Sequence, residues 1–295
     1  MTEIAIIGPG AIGCVVGAAL IESGHEVTFC SRQTFVRLSV QKRGEAEKSF
    51  PARVITSDKQ ATPADWVLVC VKAHQTASAA QWLAATIGAK SKVAVLQNGV
   101  EQRENVAPFV PEGAPIVPVV VDIPASRTAP GNAEWQRSAL LTVADDAAGR
   151  AFVALFAGTF IEASVTDDLV TRAWMKLCIN APGGAILALT GQPMSVFHKP
   201  GIADVARAIL AECIAVGRAE GAKLDDALIE KQIASFLGAA PDGGNSMYAD
   251  RMANRPMEWD ARNGVIARKG ARHGIPTPVS SALVPLLAAL DPPAR

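Results

Sequence analysis

The sequence predicts two domains of different class: an α/β domain with a doubly wound, mostly parallel sheet over residues 1–166, and an all-α domain over 167–295. Three observations carry this. Apolar runs of strand length alternate with helical patterns from residue 3 to about 120, the alternation of βαβ units. The runs at 65–71 (DWVLVCV) and 92–97 (KVAVLQ) are almost unbroken, as in strands buried on both faces. Beyond Asp167 nearly every segment has helical period.

Taken in order, 3–7 (EIAII) is a β-branched strand, 11–23 a helix ended by Gly24, and 26–30 (EVTFC) a second strand. The segments AHQTASAAQWLAATI and GVEQRENVAPF read as crossover helices around the 65–71 and 92–97 strands. From 115 to 143 strands and turns dominate, with TAPGN a hairpin or loop, and a last helix (GRAFVALFAG) and strand (TFIEASV) close the domain. The helical half begins with a long apolar segment to Leu189, continues with 202–219 and 226–237, and turns through a Gly/Pro/Asn loop at 240–245. A further helix is broken near Pro256 and resumes through Arg272, before the apolar SSALVPLLAAL.

Composition narrows the function classes. With 49% hydrophobic residues and 28 basic against 28 acidic side chains, the chain has ample core and no footprint for nucleic acid or an anionic membrane. Five scattered cysteines form no Cys-x-x-Cys pair, and four histidines show no metal-ligand spacing, so neither a disulfide framework nor a metal is expected. No apolar run approaches the roughly 18 residues of a membrane span. The expectation is a soluble, cytoplasmic protein with a small-molecule substrate; a homodimer is compatible with the apolar C-terminal segment.

The GPGAIG segment follows the first strand and opens the first helix, with a second strand behind it, which is the context a dinucleotide fingerprint requires. Gly8 permits the tight turn, Gly10 lets backbone approach a pyrophosphate, and Gly13 lets helix pack on strand. Ala11 and Ile12 complete the helix N-terminus, whose N–H groups and dipole attract phosphate. This defines a Rossmann domain. The second strand ends FCSRQ, with Ser31 and Arg32 in place of the carboxylate that binds an NAD ribose. A hydroxyl and a guanidinium suit a 2′-phosphate, and Lys72, past the next strand, adds a second cation, so NADP(H) is expected over NAD(H). Nothing downstream resembles a second flavin-binding segment.

In TRAWMKLCINAPGGAILALTG, Lys176 is the one charge between residues 173 and 189. A lone ammonium in such a run either snorkels to water or sits in a pocket. Asn180, four residues on, shares its helix face. Hydride delivery to a ketone builds negative charge on oxygen, which calls for a proton donor beside it, and partial burial would tune a lysine toward that task. Glu258, two residues after Pro256, reads either as a dipole-compensating residue at a helix start or as the lysine's partner. Asp250, Arg251 and Arg255 read as a surface group.

These segments together resemble the ketopantoate reductase (2-dehydropantoate 2-reductase) family from end to end: GPGAIG, VKAHQT with Lys72, LQNGV with Asn98, RAWMKLCIN, and SM..D…RP.E.D..NG followed by HGIPTP. The resemblance implies a helical second domain, an active site in the cleft between domains, and NADPH-dependent reduction of a 2-oxo acid in pantothenate and coenzyme A synthesis. It implies Lys176 as general acid and Glu258 as its partner in orienting substrate and cofactor. Asn98 would contact the nicotinamide ribose and help position Lys176, and Asn180 and Ser246 would bind substrate. Where the family commonly carries further asparagines for the substrate hydroxyl, this chain has Gly184 and Met194. That departure leaves open a paralogous reductase of another branched or larger 2-oxo acid. A non-catalytic NADP-binding sensor is the alternative outside enzymes. A β-hydroxyacid dehydrogenase would place a glycine-rich run just before the lysine, and VTRAWMKLCIN has none.

Overall fold

β1 (Glu3–Ile7), buried from its second residue onward, runs into α1 (Ala11–Glu22) and back through β2 (Glu26–Cys30). The computed structural model describes residues 1–292. The chain divides into a first unit, Met1–Asn98 with Gln102–Leu169, and a second, Gly99–Glu101 with the chain from Val170.

Three strands not anticipated from sequence follow β2: β3 (Arg37–Lys42), β4 (Lys48–Pro51) and β5 (Arg53–Ile55). They are short, half-exposed and rich in charge, and in β3 only Leu38 and Val40 are buried. Pairing with neighbours, rather than a long apolar run, holds them. The first unit continues through β6 (Ala64–Val69), α2 (Ala80–Thr86), β7 (Ile87–Val95), α3 (Gln102–Val106), β8 (Ile116–Pro118), β9 (Val120–Asp122), β10 (Ala125–Ala129), β11 (Asn132–Trp135), β12 (Ala139–Ala144), α4 (Ala147–Ala154) and β13 (Ile161–Thr166).

The main sheet has the order β5-β2-β1-β6-β7-β8 with every pair parallel, the doubly wound arrangement expected. β10-β11-β3-β4 and β13-β12-β9 form two smaller mixed sheets, with β10 and β11 an antiparallel hairpin across the TAPGN turn. α1 packs against strands of both the main and the β10-β11-β3-β4 sheets, so residues Gly13 to Leu20 are all buried and the helix is apolar all round. Gly17 makes this possible, since a Cβ there would lie 2.6 Å from the Phe29 ring.

The crossover after β6 departs from the expected continuous helix. Residues 73–79 form two single 3₁₀ turns, and only then does α2 begin. The Thr76 hydroxyl donates to the Ala73 carbonyl at 2.9 Å and the Lys72 N–H to Gln75 Oε1 at 3.4 Å; such local bonds compete with an α-helical ladder. The GVEQRENVAPF segment likewise holds only the five-residue α3 and one 3₁₀ turn.

The second unit is helical among the described residues: α5 (Leu169–Thr190), α6 (Ile202–Ala219), α7 (Ala227–Leu237), α8 (Ser246–Met252), a π-helical turn (Asp260–Gly264) leading into α9 (Val265–His273), and α10 (Pro278–Ala288). Its core gathers Trp174, Leu177 and Leu187 of α5 with Ile209, Leu210 and Val216 of α6, and Phe197 stacks on Phe236 at 4.5 Å. α10, the apolar C-terminal segment, packs into the core of its own unit through Leu287 and Leu283. None of the described helices is long and apolar enough to cross a membrane.

Charged groups inside this unit hold helices to one another. Glu212 on α6 accepts the N–H groups of Val279 and Ser280 at 2.7 and 2.8 Å, capping the N-terminus of α10 from outside. Lys269, buried on α9, pairs with Glu220 at 2.6 Å. The cysteines are free: Cys14, Cys30, Cys178 and Cys213 are buried and Cys70 is half-buried. Burial pushes the Cys14 and Cys30 thiols up to about 12, and that of Cys213, whose sulfur lies 3.4 Å from Cys178, well above the ordinary thiol range.

Glu212→Ala orphans two N–H groups of α10, and the loss of two charge-assisted bonds is expected to lower stability by about 2–4 kcal/mol. Urea unfolding followed by circular dichroism measures it; an unchanged midpoint would show that α10 does not depend on this cap.

Candidate active site

In the first unit the candidate residues follow the carboxyl ends of four parallel strands. Ile7 stands level with Cys30 and Val69, and Val69 with Val95, so the loops after β1, β2, β6 and β7 leave along one edge of the sheet. These loops carry Gly8 to Gly13, Ser31 and Arg32, Lys72, and Asn98. Ligands of doubly wound sheets bind on this edge, at the point where strand order reverses, here between β1 and β6.

The glycine turn is built by contact as well as by conformation. Gly8 has φ +86°, and a Cβ there would lie 2.5 Å from Val71 Cγ1 and 2.9 Å from its nitrogen. Gly13 presses against β1, since a Cβ would meet the Gly8 carbonyl oxygen at 2.7 Å and Ile6 Cγ2 at 3.2 Å. Gly10 differs. Its φ is −76°, and a Cβ would approach only the Gly8 oxygen, at 4.0 Å, so the space before it is open. α1 starts with no side-chain cap and no acidic residue in its first turn, so the leading N–H groups, those of Ala11 and Ile12 among them, are offered to an anion. An open cradle over a bare helix N-terminus fits a dinucleotide pyrophosphate.

Around this floor, Ser31 accepts the Gln33 N–H at 3.1 Å and Arg32 is exposed, with Lys72 and Asn98 half-buried. Gln97, missed in the sequence reading, ties two of the loops together. Its side-chain amide donates to the Val71 carbonyl at 3.0 Å and to Thr76 Oγ1 at 2.9 Å, while its backbone carbonyl accepts from the Gln102 side chain at 3.2 Å. The available signal was an amide at the end of a buried strand, beside the Asn-Gly turn.

In the second unit Lys176 and Asn180 lie one turn apart on α5, both half-buried. Pro182 stands two residues past Asn180 and cannot donate to the Cys178 carbonyl, and Gly183 and Gly184 follow. Ser246, exposed, is the first residue of α8, which Asn245 caps by accepting the Tyr248 N–H at 3.0 Å. Glu258 is 5% exposed and precedes the π-helical turn by two residues, so it is a buried carboxylate rather than the opening residue of a helix. Asp250 is buried too and takes Arg255 at 3.1 Å; it is no surface residue.

Asn180, Ser246 and Glu258 converge on a residue that sequence reasoning passed over. Arg262, in the π turn and 2% exposed, donates from Nη2 to Ser246 Oγ at 2.7 Å and from Nη1 to the Asn180 carbonyl at 3.4 Å. Burial lowers its pKa from the ordinary guanidinium value, against the attraction of Glu258 and Asp250. Gly184 leaves the room: a Cβ there would lie 2.8 Å from Arg262 Nη1 and 3.1 Å from Met247 Sδ. Met194 packs half-buried on the helical core, its N–H on the Gly243 carbonyl at 2.9 Å. A lone arginine in ARNG looks like one more surface charge, and only the distant glycine marks it as buried.

A nicotinamide-type dinucleotide fold followed by a helical unit with a lysine, an amide, a hydroxyl and a buried carboxylate is the layout of an oxidoreductase acting on a carbonyl or alcohol. The family described as Ketopantoate reductase PanE/ApbA matches residues 4–147 and its C-terminal counterpart residues 168–291, so the chain belongs to the ketopantoate reductase family. It is 48% identical to a 2-dehydropantoate 2-reductase of Caulobacter vibrioides, over 97% of this chain and 98% of that one. A Mycobacterium tuberculosis protein of the same name is 40% identical over 98% and 97% of the two chains. The solved PanE/ApbA family ketopantoate reductase of Ralstonia eutropha JMP134 superposes with a TM-score of 0.88 at 28% identity, covering 97% of each chain.

The two glycines separate folding from binding. Gly8→Ala is expected to lower both the melting temperature and dinucleotide affinity. Gly10→Ala should melt with the wild type yet bind dinucleotide about tenfold or more weakly, because its methyl enters only the ligand's space. Calorimetric melting and fluorescence titration check this, and equal melting losses in both variants would contradict it.

Proposed function

We propose that the protein reduces 2-dehydropantoate to D-pantoate with NADPH, the step that feeds pantothenate and coenzyme A synthesis, and that it does so in the cytoplasm. The observation that carries this reading is the match along nearly the whole chain to proteins named for that reaction, at 48% and 40% identity. The open cradle at Gly10, the bare start of α1, and a Ser31–Arg32 strand end without a carboxylate support NADP(H) as the dinucleotide. When bound, NADPH supplies the hydride that reaches the carbonyl carbon.

The chain's own groups then do the rest. Ala11, Ile12 and Gly13 present N–H groups to the pyrophosphate, and Arg32 and Lys72 hold the 2′-phosphate with Ser31. Asn98 holds the nicotinamide ribose. Lys176 donates a proton from Nζ to the carbonyl oxygen as negative charge builds there, and is reprotonated from water. Glu258 orients substrate and cofactor beside the lysine, and Asn180 and Ser246 bind substrate. A second reading, a larger or less polar 2-oxo acid as preferred substrate, is favoured by Gly184 and the half-buried Met194, which offer no side-chain amide.

Following NADPH oxidation at 340 nm, 2-dehydropantoate is expected to exceed 2-oxoisovalerate and larger 2-oxo acids in kcat/KM. A clear win for an apolar 2-oxo acid would transfer the chemistry to the second reading. In the same assay Arg32→Ala should erode the preference for NADPH over NADH by about tenfold, the worth of one charge-assisted bond.

Lys176→Ala is expected to lower kcat by about 10²–10⁴ while NADPH affinity holds. Undiminished turnover would remove the lysine from the reaction.

A further inference from the structure

We propose that Arg262 is a positioning and specificity residue of this reductase: a buried guanidinium that takes the space Gly184 leaves, sets Ser246 and Asn180, and presents a fixed positive charge to a carboxylate-bearing substrate. The proposal rests on the function proposed above and deepens it.

Four observations converge. Arg262 is 2% exposed, yet its Nη2 reaches a hydroxyl at the surface, Ser246 Oγ, at 2.7 Å. It therefore lies directly beneath a polar surface position rather than among apolar side chains alone. Its Nη1 holds the carbonyl of Asn180, one turn along α5 from Lys176. Among the described residues its Nε is buried without a hydrogen-bond partner, as are both polar atoms of the neighbouring Asn263 amide. Finally, Gly184 has no tolerance for a side chain while Arg262 stands where it does, because even a Cβ would sit 2.8 Å from Nη1.

A guanidinium carries five N–H donors in a planar fork, and the bonds to Ser246 and Asn180 use two. Burial strips it of water, so its charge is screened less than a surface arginine's and acts more strongly on an anion bound at Ser246. Glu258 and Asp250 attract it and keep the interior from holding a lone cation. A neutral amide at position 184 could read a hydroxyl; the guanidinium instead reads charge. A 2-oxo acid carries that charge on the carbon next to the reacting carbonyl, so a substrate clamped by its carboxylate brings the ketone to a set place.

The test compares 2-dehydropantoate with its methyl ester, which keeps the ketone and the hydroxyl and loses the charge, in wild type and in Arg262→Met, Arg262→Lys, Gly184→Asn and Gly184→Asn/Arg262→Met. In Arg262→Met the preference for the acid over the ester is expected to fall about tenfold or more, chiefly through KM for the acid, with NADPH affinity unchanged. Arg262→Lys should recover part of the preference, since charge returns without the fork. Gly184→Asn should lower the melting temperature less in Arg262→Met than in the wild type, because the two side chains compete for one space. An equal loss on acid and ester in Arg262→Met, or an unchanged preference, overturns the proposal. Wild-type protein inactive on every 2-oxo acid would instead overturn the function on which it rests.

Discussion

Four neighbouring strands of the main sheet run parallel and level, so the loops that leave their carboxyl ends must emerge along one edge. That constraint arranges the first unit. Residues as far apart in sequence as Gly8, Ser31, Lys72 and Asn98 share an edge because β1, β2, β6 and β7 end together. Close approach of backbone completes the arrangement. Gly8 lies against Val71, an approach that no side chain at residue 8 would permit, and Gln97 bonds the Val71 carbonyl and Thr76, so three of the four loops are tied together. The ligand edge is thus stiff where the protein touches itself and empty where Gly10 stands.

The second unit is organised by the opposite means. Its helices are apolar enough to pack, but buried charges fix which helix meets which. Glu212 binds the start of α10, Glu220 binds Lys269 and His273, and Arg262 binds α5 and α8 at once. Each ion is costly to desolvate, and each is compensated by bonds whose directions an apolar contact lacks. The residues proposed for the chemistry, Asn180, Ser246 and Glu258, all lie around one of these ions, Arg262.

Legibility followed the range of the forces involved. The glycine turn and the strands β1, β2, β6 and β7 are written locally, in φ requirements and apolar runs, and could be read directly. The strands β3 to β5 could not, because RLSVQK and KSFP hold too few apolar residues to announce themselves and depend on partners distant in sequence. The crossover after Lys72 misled for a similar reason: its composition is helical, but Thr76 and Gln75 bind its backbone first, and Gln97 holds the Thr76 hydroxyl. Arg262 was illegible because burial of a guanidinium is decided by a glycine on another helix. Family resemblance nominated Lys176 and Glu258; no pattern within ARNG could have marked the arginine that bonds Asn180 and Ser246.

The cysteines give the molecule a built-in clock. Cys14 and Cys30 lie in the core of the first unit, Cys178 and Cys213 in that of the second, and burial holds the Cys14, Cys30 and Cys213 thiols in the unreactive protonated form. An alkylating reagent can reach them only when the surrounding helices and strands part. The rate at which each pair is labelled therefore reads the opening of its own unit, and mass spectrometry can time the two units separately in one native chain with no probe attached.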